Sequence, residues 1–156
     1  MNVWHASDCR QMTQRRIVSG LDANGRSVIL IDGASDDVAW ATAGTPVDNS
    51  GNHDQGGAFS FAMPAGGTKF MMIEFPSAPG KLFGPAMHST NTIDYLVVVK
   101  GEVVLVTESG ETTCRTGDMI VDRGVMHGWR NDGLDPALVA CVMIDAAPVG
   151  NGATLV

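Results

Sequence analysis

Short runs of alternating apolar and polar residues recur along this chain, each closed by Gly, Asn, Asp or Pro. No window of a dozen residues holds apolar side chains at i, i+3, i+4 and i+7, the spacing of an amphipathic helix. A period of two places alternate side chains on opposite faces and predicts strands. Such runs lie at 16–20, 27–31, 38–42, 59–63, 68–75, 93–99, 102–107, 112–115, 119–122, 127–131 and 137–145. Asn24-Gly25 separates the first two, the strongest short-range hairpin signal. The Pro64-Ala65-Gly66-Gly67 turn pairs 59–63 with 68–75 in this reading, and 108–111 turns 102–107 onto 112–115. The glycine-rich polar stretch 45–57 reads as an exposed loop, and the Pro/Gly-rich 76–85 as irregular. Ten or so short strands at near-regular spacing predict an all-β sandwich or barrel, with a jelly-roll barrel leaving a mouth that holds a ligand.

Composition narrows this picture. The 156 residues make one domain, 1–156, with no linker, repeat or low-complexity tract. An apolar fraction of 44% against 17% charged residues excludes a disordered chain, and 19 glycines without a collagen period fit many tight turns. The net charge of −7 lacks the basic footprint of a nucleic-acid binder and disfavours an anionic membrane. Its one basic cluster, 10–16, reads as a solvated face. Cys9, Cys114 and Cys141 are odd in number and far apart, so reduced thiols are expected, with Cys141 in the core. The chain's start lacks an apolar targeting segment. The longest apolar run, 137–144, falls far short of the ~18 residues that span a bilayer. These features predict a soluble cytoplasmic protein with a small-molecule partner and neither nucleic acid nor membrane.

Four histidines are the candidates for chemistry: His5, His53, His88 and His127. His5 and His53 fall in terminal and loop segments expected to face solvent. Strand parity through residues 88–98 places His88, Thr90, Asp94, Leu96 and Val98 on one face, with Leu96 and Val98 lining the barrel beneath His88 and Asp94. His127 from another strand completes a set of two imidazoles and one carboxylate, which leaves open positions on a metal ion. Hydrogen-bonded histidines at a barrel mouth fit the same pattern equally well.

The order His88-x-Thr90-x3-Asp94-x6-Gly101, followed by Gly117-Asp118 and His127-x3-Asn131, resembles the two sequence motifs of the cupin superfamily. The segment Arg15-Arg16-Ile17-Val18-Ser19-Gly20 and Asp22-Ala23-Asn24-Gly25-Arg26-Ser27 are similar to the opening of small bacterial cupin-domain proteins. The resemblance covers residues 80–146 most closely. It implies a cupin-type double-stranded β-helix, or jelly-roll barrel, with extra N-terminal strands drawn from 1–79. It also departs from the family pattern, since Thr90 stands where the second His is usual and Asp94 where Glu is usual.

The resemblance implies His88, Asp94 and His127 as ligands of one divalent metal ion, Fe2+ ahead of Zn2+, Mn2+ or Ni2+, with Thr90 holding a water; with one imidazole missing, a site without metal is the alternative. Asp94 and His127 are the implied catalytic pair, and Thr90, Leu96, Val98, Trp129 and Asn131 the pocket. Trp129 is placed either against the ligand or in the core, and Asn131 either beside His127 or in a turn. Tyr95 and Arg130 point outward. The implied activity is metal-dependent oxygenase-type or enolisation chemistry on a small enolisable, phenolic or carbonyl compound. The alternatives are a metal-free lyase, isomerase, dehydratase or decarboxylase, and a non-catalytic small-molecule-binding cupin. The strands within 16–42 are expected to form a homodimer contact.

Overall fold

The computed structural model describes residues 15–155, and these contain strands and no helix. His5, Cys9 and the cluster residues 10–14 lie outside them. The strands are β1 Arg15–Leu21, β2 Ser27–Ala34, β3 Val38–Thr42, β4 Thr68–Phe75, β5 Leu82–His88, β6 Thr92–Lys100, β7 Glu102–Thr107, β8 Gly110–Arg115, β9 Met119–Asp122, β10 His127–Arg130 and β11 Ala137–Asp145. They form a five-stranded sheet in the order β3-β4-β11-β6-β9, a four-stranded sheet in the order β5-β10-β7-β8, and a separate β1-β2 hairpin. Every pairing is antiparallel. The all-β double-stranded β-helix expected from the sequence is therefore the architecture observed.

Alternation builds the core. Buried and less buried positions alternate strictly through most of β6 and β11. The inner face of the five-stranded sheet reads as cross-strand rows. Ile73, Val139 and Val98 make one row, and Met71, Cys141, Leu96 and Ile120 the next. Together with Phe75, Val103, Cys114 and Trp129 these side chains form a single apolar cluster. One row further, Lys69, Met143, Asp94 and Asp122 stand side by side, and the inner face turns polar. That change within one row puts the site at one end of the barrel, on an apolar floor.

The outer face of the same sheet is also apolar. Trp40, Phe70, Val142, Tyr95 and Val121 align across all its strands, with Met72, Ala140, Val97 and Met119 in the neighbouring row. Phe70, Tyr95, Val121 and Met119 are exposed.

Several expectations need correction. Residues 59–63 form no strand. The Lys69 ammonium collects the carbonyls of Ser60 and Ala62, which bends this segment away from a ladder. The end of the stretch 76–85, expected to be irregular, is strand, since β5 begins at Leu82. The strand accommodates Pro85 because β5 is an edge strand, where a missing amide proton costs no ladder bond. The run from His88 to Val98 is two strands, since β5 ends at His88 and β6 begins at Thr92. His88 and Asp94 therefore belong to different sheets and reach the site from opposite sides. Arg16 is not solvated: its guanidinium is buried in a two-pronged pair with Asp54 at 2.6 Å and donates to the Ala39 carbonyl. The C-terminal residues pack on the turn between β5 and β6. Thr154 and Ser89 exchange hydrogen bonds, the Ser89 hydroxyl donates to the Gly152 carbonyl, and Ala153 N–H donates to the Asn91 side chain.

The Asn24-Gly25 hairpin forms as expected. Gly25 takes a left-handed φ of 74°, and the Asp22 carboxylate accepts the amides of Asn24 and Arg26.

Candidate active site at the polar end of the barrel

His127 opens β10 and is paired across the ladder with His88, the last residue of β5. Both are buried, and their ring centroids lie 4.5 Å apart. The His127 Nδ1 stands 2.8 Å from the Val125 carbonyl and 3.0 Å from the Asp122 carboxylate. The Val125 carbonyl accepts the hydrogen of this nitrogen and the Asp122 carboxylate stands beside it as a charge, so the neutral ring keeps its lone pair on Nε2. The His88 Nδ1 likewise lies 3.3 Å from a backbone carbonyl, that of Ala86.

Burial acts to lower the His127 pKa. The hydrogen bond and charge of Asp122, the Val125 carbonyl and the charge of Asp94 outweigh it, and the net shift is upward. Asp122 is 4% exposed and anchors through its other oxygen, Oδ1, which accepts the Gly124 amide at 2.9 Å.

Asp94 lies opposite Asp122 in the β6–β9 ladder and is equally hidden. Burial pushes its carboxyl up to about 6, opposed by a Thr92 hydrogen bond; the charge of Asp122 raises it further and that of His127 lowers it. Its Oδ1 is buried without a hydrogen-bond partner. A buried carboxylate oxygen left open in this way is a place for a proton or a ligand donor. Thr90 and Thr92 share a hydrogen bond of 2.8 Å and are buried beside it.

The cover of the site is aromatic. Phe61 packs edge-on to His88 at 5.8 Å between centroids and to Phe59 at 4.9 Å.

The structure thus gathers His88, Asp94, His127, Thr90 and Leu96 at one end of the barrel. Val98 sits two rows below Asp94, in the core. Trp129 belongs to the same apolar cluster and meets both Phe75 and, edge-on, the His127 ring at 6.0 Å between centroids. Asn131 is a turn residue: its amide donates to the carbonyls of Phe75 and Asp135, and its oxygen accepts the Gly133 amide. Tyr95 is outward as expected, and Arg130 is held by Glu111 and Asp132.

The expected ligand triad does not close. Among the described residues, no group of three His, Cys, Asp or Glu side chains is arranged to hold a metal ion. Two imidazoles meet, and the carboxylate beside His127 is Asp122, which occupies the Nδ1 side of the ring and not the Nε2 side. The described residues thus show no preformed three-ligand centre.

Asp122 is the site residue that sequence reasoning misses. Asp122 carries a signal, because it shares parity with the apolar Ile120 in a short strand that ends five residues before His127.

A β-barrel carrying buried imidazoles and carboxyls at one end defines the class: a cupin-type barrel. A family model described as "Cupin domain" matches residues 74–143. The chain is 31% identical over 157 residues to the cupin-domain-containing oxidoreductase fogC of Aspergillus ruber, covering 86% of this chain and 73% of that protein. It is 29% identical over 153 residues to the cupin-domain-containing oxidoreductase virC of Hypocrea virens, with coverage of 86% and 77%. It is 33% identical over 139 residues to phomopsin biosynthesis cluster protein C' of Diaporthe leptostromiformis, with coverage of 76% and 71%. A solved Klebsiella pneumoniae protein with a double-stranded β-helix domain superposes with a TM-score of 0.44 at 22% identity, over 56% of this chain and 73% of that one. The chain belongs to the cupin superfamily.

Proposed function

We propose that this cupin is an enzyme that moves a proton on a small enolisable, phenolic or carbonyl compound. His127 is the base, Asp122 orients it, and Asp94 supplies the opposing acid. The observation that carries this reading is the His127 Nδ1 between two oxygens, which leaves Nε2 as the proton acceptor in a buried site. A base needs its lone pair aimed and its tautomer fixed before its pKa matters.

The chemistry follows from the residues. Nε2 of His127 takes a proton from a carbon beside a carbonyl, and the bonding electrons move onto the carbonyl oxygen. Asp94, when protonated, donates a hydrogen bond to that oxygen. Return of the proton to a different atom completes an isomerisation, and loss of a neighbouring group completes an elimination. The apolar floor of Leu96, Met71, Cys141 and Ile120 keeps water from competing. The relatives' oxidoreductase names are compatible with this step, because an enolate precedes oxidation of such a compound as well as its isomerisation.

The test is mutational. Exchange of α-protons for deuterium is followed by NMR on a panel of small ketones and oxo acids. His127→Gln is expected to lower the rate about 100-fold or more, the usual scale of a lost general base. Asp122→Asn is expected to lower it less. Wild-type rates in His127→Gln contradict the assignment.

A further inference from the structure

Lys69 lies on the inner face of β4, in the same cross-strand row as Asp94, with Met143 between them. It is 6% exposed. Two strand spacings separate it from Asp94, about 10 Å along the row.

Its three N–H bonds all go to neutral oxygens: the Ser60 carbonyl at 2.7 Å, the Ser60 hydroxyl at 3.2 Å and the Ala62 carbonyl. No carboxylate pairs with it among the described residues. Burial is the one influence on its pKa and acts downward. A buried ammonium without a counter-ion is costly, and proteins that keep one normally pair it.

The oxygens that hold it belong to a segment without ladder bonds, residues 58–63, that covers the site. Phe59 of that segment faces the ammonium at 5.9 Å, and Phe61 touches His88. Lys69 and the imidazole pair are therefore joined through one short loop. An entering carboxylate that displaces two neutral carbonyls from an ammonium gains charge-assisted hydrogen bonds in their place.

We propose that Lys69 is an anion-binding residue of this site, and that the substrate is a small organic acid whose carboxylate it holds while the enolisable carbon lies at His127. The proposal rests on the proton-transfer reading for the position of the reacting carbon. The span along the row suits a compound whose carboxylate and carbonyl sit at opposite ends of a ring or short chain.

A matched pair of probes tests it: 4-acetylbenzoate and its uncharged counterpart 4-acetylbenzamide, titrated calorimetrically into the full chain. Wild type is expected to bind the acid at least 10-fold more tightly than the amide. Lys69→Met is expected to abolish that preference, and Lys69→Arg to retain part of it. Equal affinity of wild type for the two probes, no measurable binding of the acid, or an unchanged preference in Lys69→Met overturns the proposal. Should Lys69→Met not fold, the wild-type comparison and Lys69→Arg still decide. Binding is read here without turnover. A preference for the acid in a protein that exchanges no α-protons sinks the proton-transfer reading and leaves the anion site standing. Exchange without any preference does the reverse.

Discussion

Asp122 determines what His127 can do. By standing on the Nδ1 side of the ring it adds its charge to the Val125 carbonyl that holds the ring hydrogen, and by standing opposite Asp94 it helps to keep that carboxyl protonated longer. Asp94 itself is a stability switch. Its folded pKa of about 6 lies above the ordinary 3.8, so the folded state holds a proton that the unfolded chain has released. Stability is therefore full below about pH 4 and falls as pH rises through 6. The loss amounts to roughly 2–3 kcal/mol, because each pH unit between the unfolded and folded values is worth ~1.4 kcal/mol. His127 is raised as well, so its contribution is present below its ordinary value near 6.5 and is lost as pH rises through the higher folded value. Urea unfolding between pH 4 and 6 is expected to show the Asp94 slope in wild type and a flatter profile in Asp94→Asn. Equal slopes in the two proteins remove the buried-proton account of Asp94.

At the scale of elements, the β9–β10 turn does the assembling. Gly124 has a φ of 72°, and a Cβ there meets the carbonyl oxygens of Thr90 and Thr92 well inside van der Waals distance. Its amide holds Asp122, and its carbonyl accepts the Thr90 amide at 3.2 Å. One glycine thus packs the turn before His127 onto the turn between β5 and β6. Gly124→Ala is expected to cost about 2 kcal/mol or more in a chemical denaturation experiment, since neither the backbone angle nor the neighbouring carbonyls can yield cheaply. Alanine tolerated within about 0.5 kcal/mol contradicts this view of the turn.

The same elements show how far the sequence is legible. Alternation in β6, β7, β9 and β11 is readable because one face of each strand meets the core, and the His88 and His127 spacings point to the right end of the barrel. The segment 59–63 alternates as a strand does, but the hydrogen bonds its carbonyls make go to Lys69, a residue whose charge suggests surface. Pro85 disguises β5, because a proline argues against a strand unless that strand is known to be an edge. The sequence brings Asp94 to the histidines, but it does not announce Asp122, which only the cross-strand register places beside the ring.

At the scale of the molecule, two surfaces expose apolar side chains. The outer face of the five-stranded sheet carries Phe70, Tyr95, Val121 and Met119, the last 86% exposed on the edge strand β9. The β1-β2 hairpin stands apart from both sheets and exposes Ile17, Leu21 and Ile29. A two-stranded hairpin is marginal alone, and contiguous apolar patches of this kind mark association sites. We propose that a second copy of the chain covers these surfaces. Light scattering is expected to give twice the mass of one chain, falling toward one chain in a Val121→Lys, Met119→Lys double variant. A wild-type mass of one chain contradicts the pairing.

In the proposed reaction the side chains of the site move the proton themselves. The most direct test is α-proton exchange by wild-type protein after exhaustive dialysis against EDTA, read by NMR on a ketone or oxo acid that the untreated protein exchanges. An unchanged rate is expected. A rate that collapses on chelation and returns with Fe2+, Zn2+, Mn2+ or Ni2+ contradicts side-chain proton transfer.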